Sequence, residues 1–351
     1  MALTPKEITR QMREAKKALN KKEYNQAVAT LDSIIKADPN YAPAYREIAS
    51  ILLGSNTPQN ALPYLNKALE LTPEDIQSWR LAAYHYKKHQ SWVPALKAFE
   101  KMLSLQEDDE QILYEIFNIH TKLGSQTSAL ATIERLTKID SKNNIYREEY
   151  AKFLNSMGKI KEALAEYDKI IYSDRGDISY SSLSEWFKLM ITLGQAQGAH
   201  KRIKVLSKLN PKDAFIKTQY ARSYEALFDF KKALKIFLEA HQLDPKNVGI
   251  NYNLGVIYEQ EGDTERSLKH YKIALSMDPM HISSLRGIGI EEKYTYESDI
   301  FKKLNFALAH IADLSLDYRA QLHYAAAKAF EDLGELAIAF EHYKLGGEIH
   351  A

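Results

Sequence analysis

The sequence predicts an all-α chain, an array of antiparallel helix pairs stacked in order. Three observations carry this. Prolines recur at a fixed interval: Pro39 and Pro73 stand 34 residues apart, and so do Pro211, Pro245 and Pro279. A small residue precedes each by twelve, namely Ala27, Ala61, Ala199, Ala233 and Ser267, and Ala95, Ala129 and Ala163 continue the ladder. Gly (14) and Pro (10) are scarce in 351 residues, so little of the chain is left for loops or linkers. A single core rarely grows to this length, which leaves several domains or a repeat array.

Each proline follows an apolar run and sits where a helix must stop. The unit from Ala42 to Asp75 places Tyr45, Ile48, Ala49 and Leu52 on a first helix and Ala61, Leu65 and Ala68 on a second. The unit from Ala214 repeats the arrangement with Tyr220, Ala221, Tyr224, Ala233, Phe237 and Ala240, and the next with Leu254, Gly255, Tyr258, Ser267, Tyr271 and Ala274. Small residues allow two helices to cross closely, and large ones fill the space beside them. A helix–turn–helix period of this length resembles the tetratricopeptide repeat. The resemblance implies a right-handed superhelix of about 20 helices without strands, one array over residues 1–351.

Five units run in register from Ile8 to Asp177. Ile178 and Ser179 are inserted, and three units follow from Tyr180 to His281. The first of these carries Trp186 and Phe187 where smaller residues are usual, so an irregular junction is expected there. A degenerate unit spans 282–319, with Phe301 at the small-residue position, and a terminal unit spans 320–351.

The C-terminal segment carries a second pattern. Lys293-Tyr294-Thr295, Ser298-Asp299, Tyr318-Arg319, Leu322-His323-Tyr324-Ala325, Lys328 to Gly334 and Ala339 to Tyr343 resemble the segment that closes the repeat region of bacterial tetratricopeptide–sulfotransferase proteins. Gly346-Gly347 stands where that family often has Gly-Asn. The resemblance implies a substrate-recruiting half whose catalytic domain would follow. No strand-to-helix loop able to cradle a phosphosulfate occurs here. The last residues, Leu345 to Ala351, look too short for a capping helix, and the sequence reads as one cut at a domain boundary, with a naturally short relative as the alternative.

Composition excludes several chemistries. Cysteine is absent, which removes disulfides, thiolate-bound zinc, iron–sulfur clusters and thiol catalysis. A formal net charge of +1 gives no global case for nucleic acid or a membrane surface. No apolar h-region opens the chain and no run is long enough to span a bilayer, so a cytoplasmic location is the expectation. His85 and His89 share a helix face, but Lys87 and Lys88 lie between them and no glutamate does, so a metal is not expected. Gly287 and Gly289 lack a third glycine and a preceding strand, and serve packing rather than a nucleotide. Glu331 and Asp332 are adjacent and point apart. Glu107 to Glu110 reads as a solvated turn with a helix cap. No cofactor and no catalytic group are expected.

In tetratricopeptide arrays the first helices line a groove, through positions 2, 5, 9 and 12 of each unit. Here those positions bring Arg46, Arg80, Tyr84, Lys87, Tyr114, Asn118, Lys152, Lys188, Arg222, Tyr252, Arg286 and Lys293, against the acids Glu148, Glu225 and Glu259. Eight bases against three acids is a local bias in a nearly neutral chain. It points to an extended, acidic protein or peptide partner rather than nucleic acid; an exposed helix face that merely solvates its charges is the plain alternative. The carboxylate clamp that serves heat-shock chaperones does not fit, because Met12 and Lys16, or Arg46 and Ser50, occupy the Lys and Asn positions. An Asn ladder is represented only by Asn253. The leading function is thus an interaction scaffold. The sulfotransferase-recruiting half and a self-assembling array joined through uncapped ends are the alternatives.

Overall fold

The computed structural model describes residues 3–55, 58–173 and 178–350. Among them are twenty α-helices, two short 3-10 turns and no strand. No helix is long and apolar enough to cross a membrane. The chain divides into two compact bodies, Met1–Asp177 and Ile178–Ala351.

The first body holds five hairpins: α1 (Pro5–Asn20) with α2 (Tyr24–Ala37), α3 (Ala42–Leu53) with α4 (Ala61–Leu71), α5 (Ile76–Lys88) with α6 (Trp92–Leu105), α7 (Glu110–Lys122) with α8 (Gln126–Ile139), and α9 (Asn144–Ser156) with α10 (Ile160–Ile171). The second holds α11 (Tyr180–Thr192) with α12 (Ala196–Leu209), α13 (Ala214–Glu225) with α14 (Phe230–Leu243), α15 (Val248–Gln260) with α16 (Thr264–Met277), α17 (Ile282–Glu291) with α18 (Asp299–Ala309), and α19 (Leu316–Asp332) with α20 (Leu336–His350). The residues after Tyr343, expected as a tail beyond the last helix, are a continuation of it through His350.

The period sets the helix starts. From α3 to α17 every first helix begins at the position that the 34-residue period, with its two-residue insertion, assigns to it. Asp75, Asp109, Asn143, Asp213 and Asn247 cap first helices, each accepting a backbone N–H from the opening turn. Asp109, from the acidic run, accepts from Ile112 N at 3.0 Å. The ladder residues Ala27, Ala61, Ala95, Ala129, Ala163, Ala199, Ala233 and Ser267 are all fully buried. Their size lets the two helices of a hairpin touch.

The turn between the two helices uses one left-handed residue at a fixed place in the unit. It is Gly124, Gly158, Gly194, Gly262 and Gly334 in five units, but Lys22, Gln90 and Phe228 in three. A side chain in this conformation costs about 1–2 kcal/mol. Phe228 is also 82% exposed, so it recovers little by burial. Phe228→Gly is expected to raise stability by up to about 1 kcal/mol, after the glycine's greater loss of chain entropy. A urea titration that shows the variant less stable than the parent would refute this.

Trp186 and Phe187 are buried in α11 as expected of large core residues. Their bulk has a visible effect: α11 packs more sparsely on α12 than the helices of the next two hairpins do on each other. The expected irregularity is therefore present within the second body. Residues 174–177, at the same junction, lie outside the described residues.

The degenerate unit departs most. Its second helix is short, Asp299–Ala309, and ends in a 3-10 turn at Ile311–Asp313. Phe301 occupies the small-residue place and is buried against Phe330, with ring centroids 5.8 Å apart. Tyr294, just beyond α17, enters this core fully buried, and Gly289 makes room for it. Gly255 and Gly287 likewise stand against opposite edges of the Tyr271 ring. Both Gly287 and Gly289 thus serve packing, as the sequence implied.

Candidate functional site

Most side chains at positions 2, 5, 9 and 12 lie on the less covered face of the first helices, because the intervening positions are spent on the core; α13 departs from this, with Thr218 buried and Arg222 and Glu225 largely so. In α7, for instance, Ile112, Leu113, Ile116, Phe117 and Ile119 are buried, while Tyr114 and Asn118 between them are only partly covered. Each body offers such a face.

In the first body the face opens on a hollow of about 310 Å3. Its apolar lining includes Met12, Leu19, Leu31 and Tyr41, and Arg13, Lys16, Arg46 and the acid Glu47 also border it. The residues that spoil the carboxylate clamp, Met12, Lys16 and Arg46, are thereby gathered in one place. Arg46 is anchored by Asp75 at 3.0 Å and Glu47 at 3.4 Å.

Further along, Arg80 and Tyr84 border a smaller hollow with Asp109 and Gln111. Tyr84 is half exposed and stands edge-on to Phe99, centroids 5.8 Å apart. Lys87 Nζ lies 6.0 Å from the Tyr84 ring and pairs with Glu115 at 2.6 Å. Tyr114 packs beside Tyr146 at 5.8 Å. Lys152 pairs with Glu148 at 2.8 Å and Glu149 at 3.1 Å. Partial burial works against its charge, but these two carboxylates prevail and raise its pKa above the usual lysine value.

In the second body Lys188 is exposed on α11. Arg222 of α13 lies over the Phe187 ring, 5.3 Å from its centroid, and Nη1 donates to Gln219 Oε1 at 3.3 Å. Burial depresses the Arg222 pKa. Burial also pushes Glu225, one turn on, up to about 7, against the opposing pull of Arg222. Tyr252 sits between Tyr271 at 6.0 Å and His281 at 5.1 Å. Arg286 and Lys293 are exposed.

The structure changes the electrostatic reading of this face. Arg46, Lys87 and Lys152 are neutralised in place. Glu47, Glu115 and Glu149, which do this wholly or in part, occupy the sixth position of their units, one that the groove rule leaves out. Acids at the sixth position of four units, Glu47, Glu115, Glu149 and Glu185, were the signal available in the sequence. Arg80, Lys188, Arg286 and Lys293 are exposed cations of the set, as is Lys152 beside its two carboxylates. His85 and His89 are ring neighbours at 4.6 Å. No group of three or more metal-ligating side chains occurs among the described residues.

Two segments match models of the tetratricopeptide repeat, residues 12–76 and 248–281. They fall one in each body, on hairpins whose period and packing are described above. Both segments are tetratricopeptide repeats. An N-terminal acetyltransferase A complex subunit-like protein of Schizosaccharomyces pombe is 22% identical over 153 residues, 44% of this chain and 22% of that relative. Superkiller protein 3 of the same organism is 21% identical over 140 residues, 40% of this chain and 10% of its own. The chain thus spans a quarter or less of the curated relatives it matches. Among solved structures, one of Naa15/Naa10 bound to HypK-THB aligns over 97% of this chain and 63% of its own at 13% identity, with a TM-score of 0.50. The C-terminal part of a repeat protein from Cytophaga hutchinsonii aligns over 69% and 99% at 15% identity, with a TM-score of 0.51. These likenesses establish the repeat fold alone. The matched repeat segments leave out the last 70 residues, and nothing in these comparisons adds to the sulfotransferase resemblance there.

Proposed function

We propose that this chain is an interaction scaffold that holds an extended, acidic peptide or protein segment along its first-helix faces. One observation carries the reading: the hollow lined by Met12, Leu19, Leu31 and Tyr41 is bordered by Arg13 and Lys16, while Arg46 at its edge is already paired with Glu47 and Asp75. Such a site takes an apolar side chain from a segment whose neighbouring residues are acidic. Half-exposed Tyr84 and partly covered Tyr114 extend the contact surface within the first body, and Tyr252 supplies a like contact on the face of the second, at low entropic cost. Arg80 in the first body, and Lys188 and Arg286 in the second, supply steering to their own faces. The solved Naa15/Naa10 assembly bound to HypK-THB is a neighbouring fold that holds protein partners, which is in keeping with this role.

The test separates anchor from steering. Met12→Asp is expected to abolish capture of partner from native lysate by filling the hollow with charge. Reversal of Arg80, Lys188 and Arg286 to Glu is expected to weaken binding of extended acidic peptides about tenfold or more at low salt, with less effect at high salt. Reversal of Lys138, Lys161 and Lys235, exposed on second helices, is expected to change little. Equal binding by both triple variants, with circular dichroism unchanged, would remove the first-helix faces as the site.

A further inference from the structure

Charges on the first helices are of two sorts. Some stand in water, as Arg80, Lys188 and Arg286 do. Others are partly covered and paired: Arg46 with Asp75, Lys87 with Glu115, and Lys217 with Glu239 at 2.8 Å. Arg10 and Glu14 are both, paired at 3.7 Å on the outer face of α1 and well exposed beside Lys17. Arg222 and Glu225 of α13 are neither.

Arg222 is largely buried, yet among the described residues it makes no ion pair. A guanidinium carries five N–H donors, and here only Nη1 is engaged, on Gln219 Oε1 at a long 3.3 Å. Glu225, three places on, accepts no side-chain hydrogen bond and is not paired with Arg222. Two opposite charges left half-dry and apart are costly, and such cost gathers where a fold binds something. The surroundings hold the arginine in place. Buried Phe187 of α11 lies under its guanidinium at 5.3 Å, and buried Gln219, at its edge, donates in turn to Ser184 Oγ at 3.4 Å. The unpartnered atoms of Arg222 and Glu225 are not sealed from solvent. They stand at positions 9 and 12 of the unit from Ala214, on the first-helix face of the second body.

We infer that Arg222 and Glu225 form a receiving site for one side-chain carboxylate of an extended partner segment, an inference that rests on the scaffold reading above. The guanidinium offers the carboxylate two parallel N–H donors. Glu225 takes part as the neutral acid, its O–H donating to the same carboxylate. Burial already pushes Glu225 up to about 7, so the protonated form is at hand near neutral pH. With that proton in place the site carries one positive charge. This matches a carboxylate and falls short of a phosphate dianion. The only charge that acts on either group is the other. On the neighbouring first helices, Glu259 of α15 is bonded to the Tyr271 hydroxyl, while Glu185 and exposed Lys188 of α11 leave both pKa values unmoved. On the other side of α13, His200 of α12 is bound to Ser223, and Lys232 of α14 to Asp229.

The probe is an oligoglutamate peptide, acetylated and amidated so that only its side chains carry carboxylates. In protein with isotope-labelled arginine, the Arg222 Nε–H signal, assigned by its loss in Arg222→Lys, is expected to shift as peptide is added. Arg222→Lys is expected to weaken binding about tenfold, because an ammonium cannot supply the paired donors. Binding is expected to weaken about tenfold between pH 6 and 8, as Glu225 loses its proton and turns to Arg222. Glu225→Gln keeps a neutral donor and is expected to remove this dependence, with affinity held at the pH 6 level. Phosphoserine in place of glutamate is expected to bind no more tightly. Without peptide, Arg222→Met sets an apolar chain over Phe187 in place of an unpaired charge and is expected to raise the urea midpoint, which loss of a merely structural arginine would lower. An Arg222 signal indifferent to peptide, a pH dependence that survives Glu225→Gln, tighter binding of the phosphopeptide, or a lower midpoint for Arg222→Met would each overturn the assignment. The scaffold reading is judged apart from these, by Met12→Asp, since that anchor lies in the first body.

Discussion

Gly287→Ala is expected to destabilise the second body by about 1–3 kcal/mol, although it replaces a mid-helix glycine with the best helix former. The cause is Tyr271. A methyl group on residue 287 would sit 2.5 Å from Tyr271 Cε2, and one on Gly255 would sit 2.5 Å from Cδ1 and Cε1. The ring is fully buried between α15 and α17, so yielding to one methyl drives it into the other helix. Its hydroxyl donates to Glu259 Oε2 at 2.6 Å, which fixes the ring along its length as well. The clasp is tested by a double-mutant cycle. In a Tyr271→Leu background, Gly287→Ala is expected to be nearly neutral or stabilising, with a coupling of about 1–3 kcal/mol. An unchanged cost in that background would show that the glycine serves something other than the ring.

The second large effect is an acid-sensitive loss of stability centred on His270. Asn251 donates both amide hydrogens' worth of nitrogen to backbone, to Pro245 O at 2.8 Å and Asn247 O at 2.9 Å. Its Oδ1 is therefore the acceptor for His270 Nδ1–H at 2.9 Å, and the neutral ring already fills this bond. Burial, then the nearby His241 and Lys269, hold the His270 pKa down to about 4. His241, 5.3 Å away ring to ring, is depressed by burial in the same way. Protonation is thus easier in the unfolded chain than in the folded one. The stability that neutral His270 allows is fully present above its ordinary value of 6.5 and is lost as pH falls from 6.5 toward 4. The loss amounts to roughly 2–3 kcal/mol for this residue.

Glu225 contributes with the opposite sign. Its folded pKa of about 7 lies above the ordinary 4.5, so its contribution is present below 4.5 and is lost as pH rises toward 7. The two slopes partly cancel over one window. The measurement is the urea midpoint between pH 4.5 and 7 for the parent, His270→Gln and Glu225→Gln. His270→Gln keeps a donor for Asn251 and should flatten the acid loss. Glu225→Gln should steepen it. If His270→Gln leaves the slope as it was, the acid loss lies with other groups.

The hairpins were legible because one signal repeats. A period of 34 residues fixes where helices start, which positions must be small and which must be large, and each unit confirms its neighbours. Tyr271 itself stood in the pattern. Its enclosure between Gly255 and Gly287 did not, because it depends on two units at once and on how a ring lies in the gap. The groove charges failed for a related reason. Counting positions 2, 5, 9 and 12 selects residues by direction, whereas a lysine reaches sideways. Lys87 finds Glu115 on the next first helix, 28 residues away. An exposed stripe on α20 was in the sequence as Leu336, Phe340 and Tyr343. There it looks like any interior second helix, since exposure depends on neighbours in space that the stripe does not encode.

The charged outer face of α1 has a consequence during synthesis. As hairpins leave the ribosome in order, α1, the first of the described helices, presents Arg10, Glu14 and Lys17 to water. The newest end is always a second helix with an apolar stripe awaiting its cover. At about 5–20 residues per second, a further unit arrives in roughly 2–7 s. The vulnerable surface of the nascent chain therefore stays beside the ribosome and is renewed with each repeat, while α1 keeps a face built to remain wet.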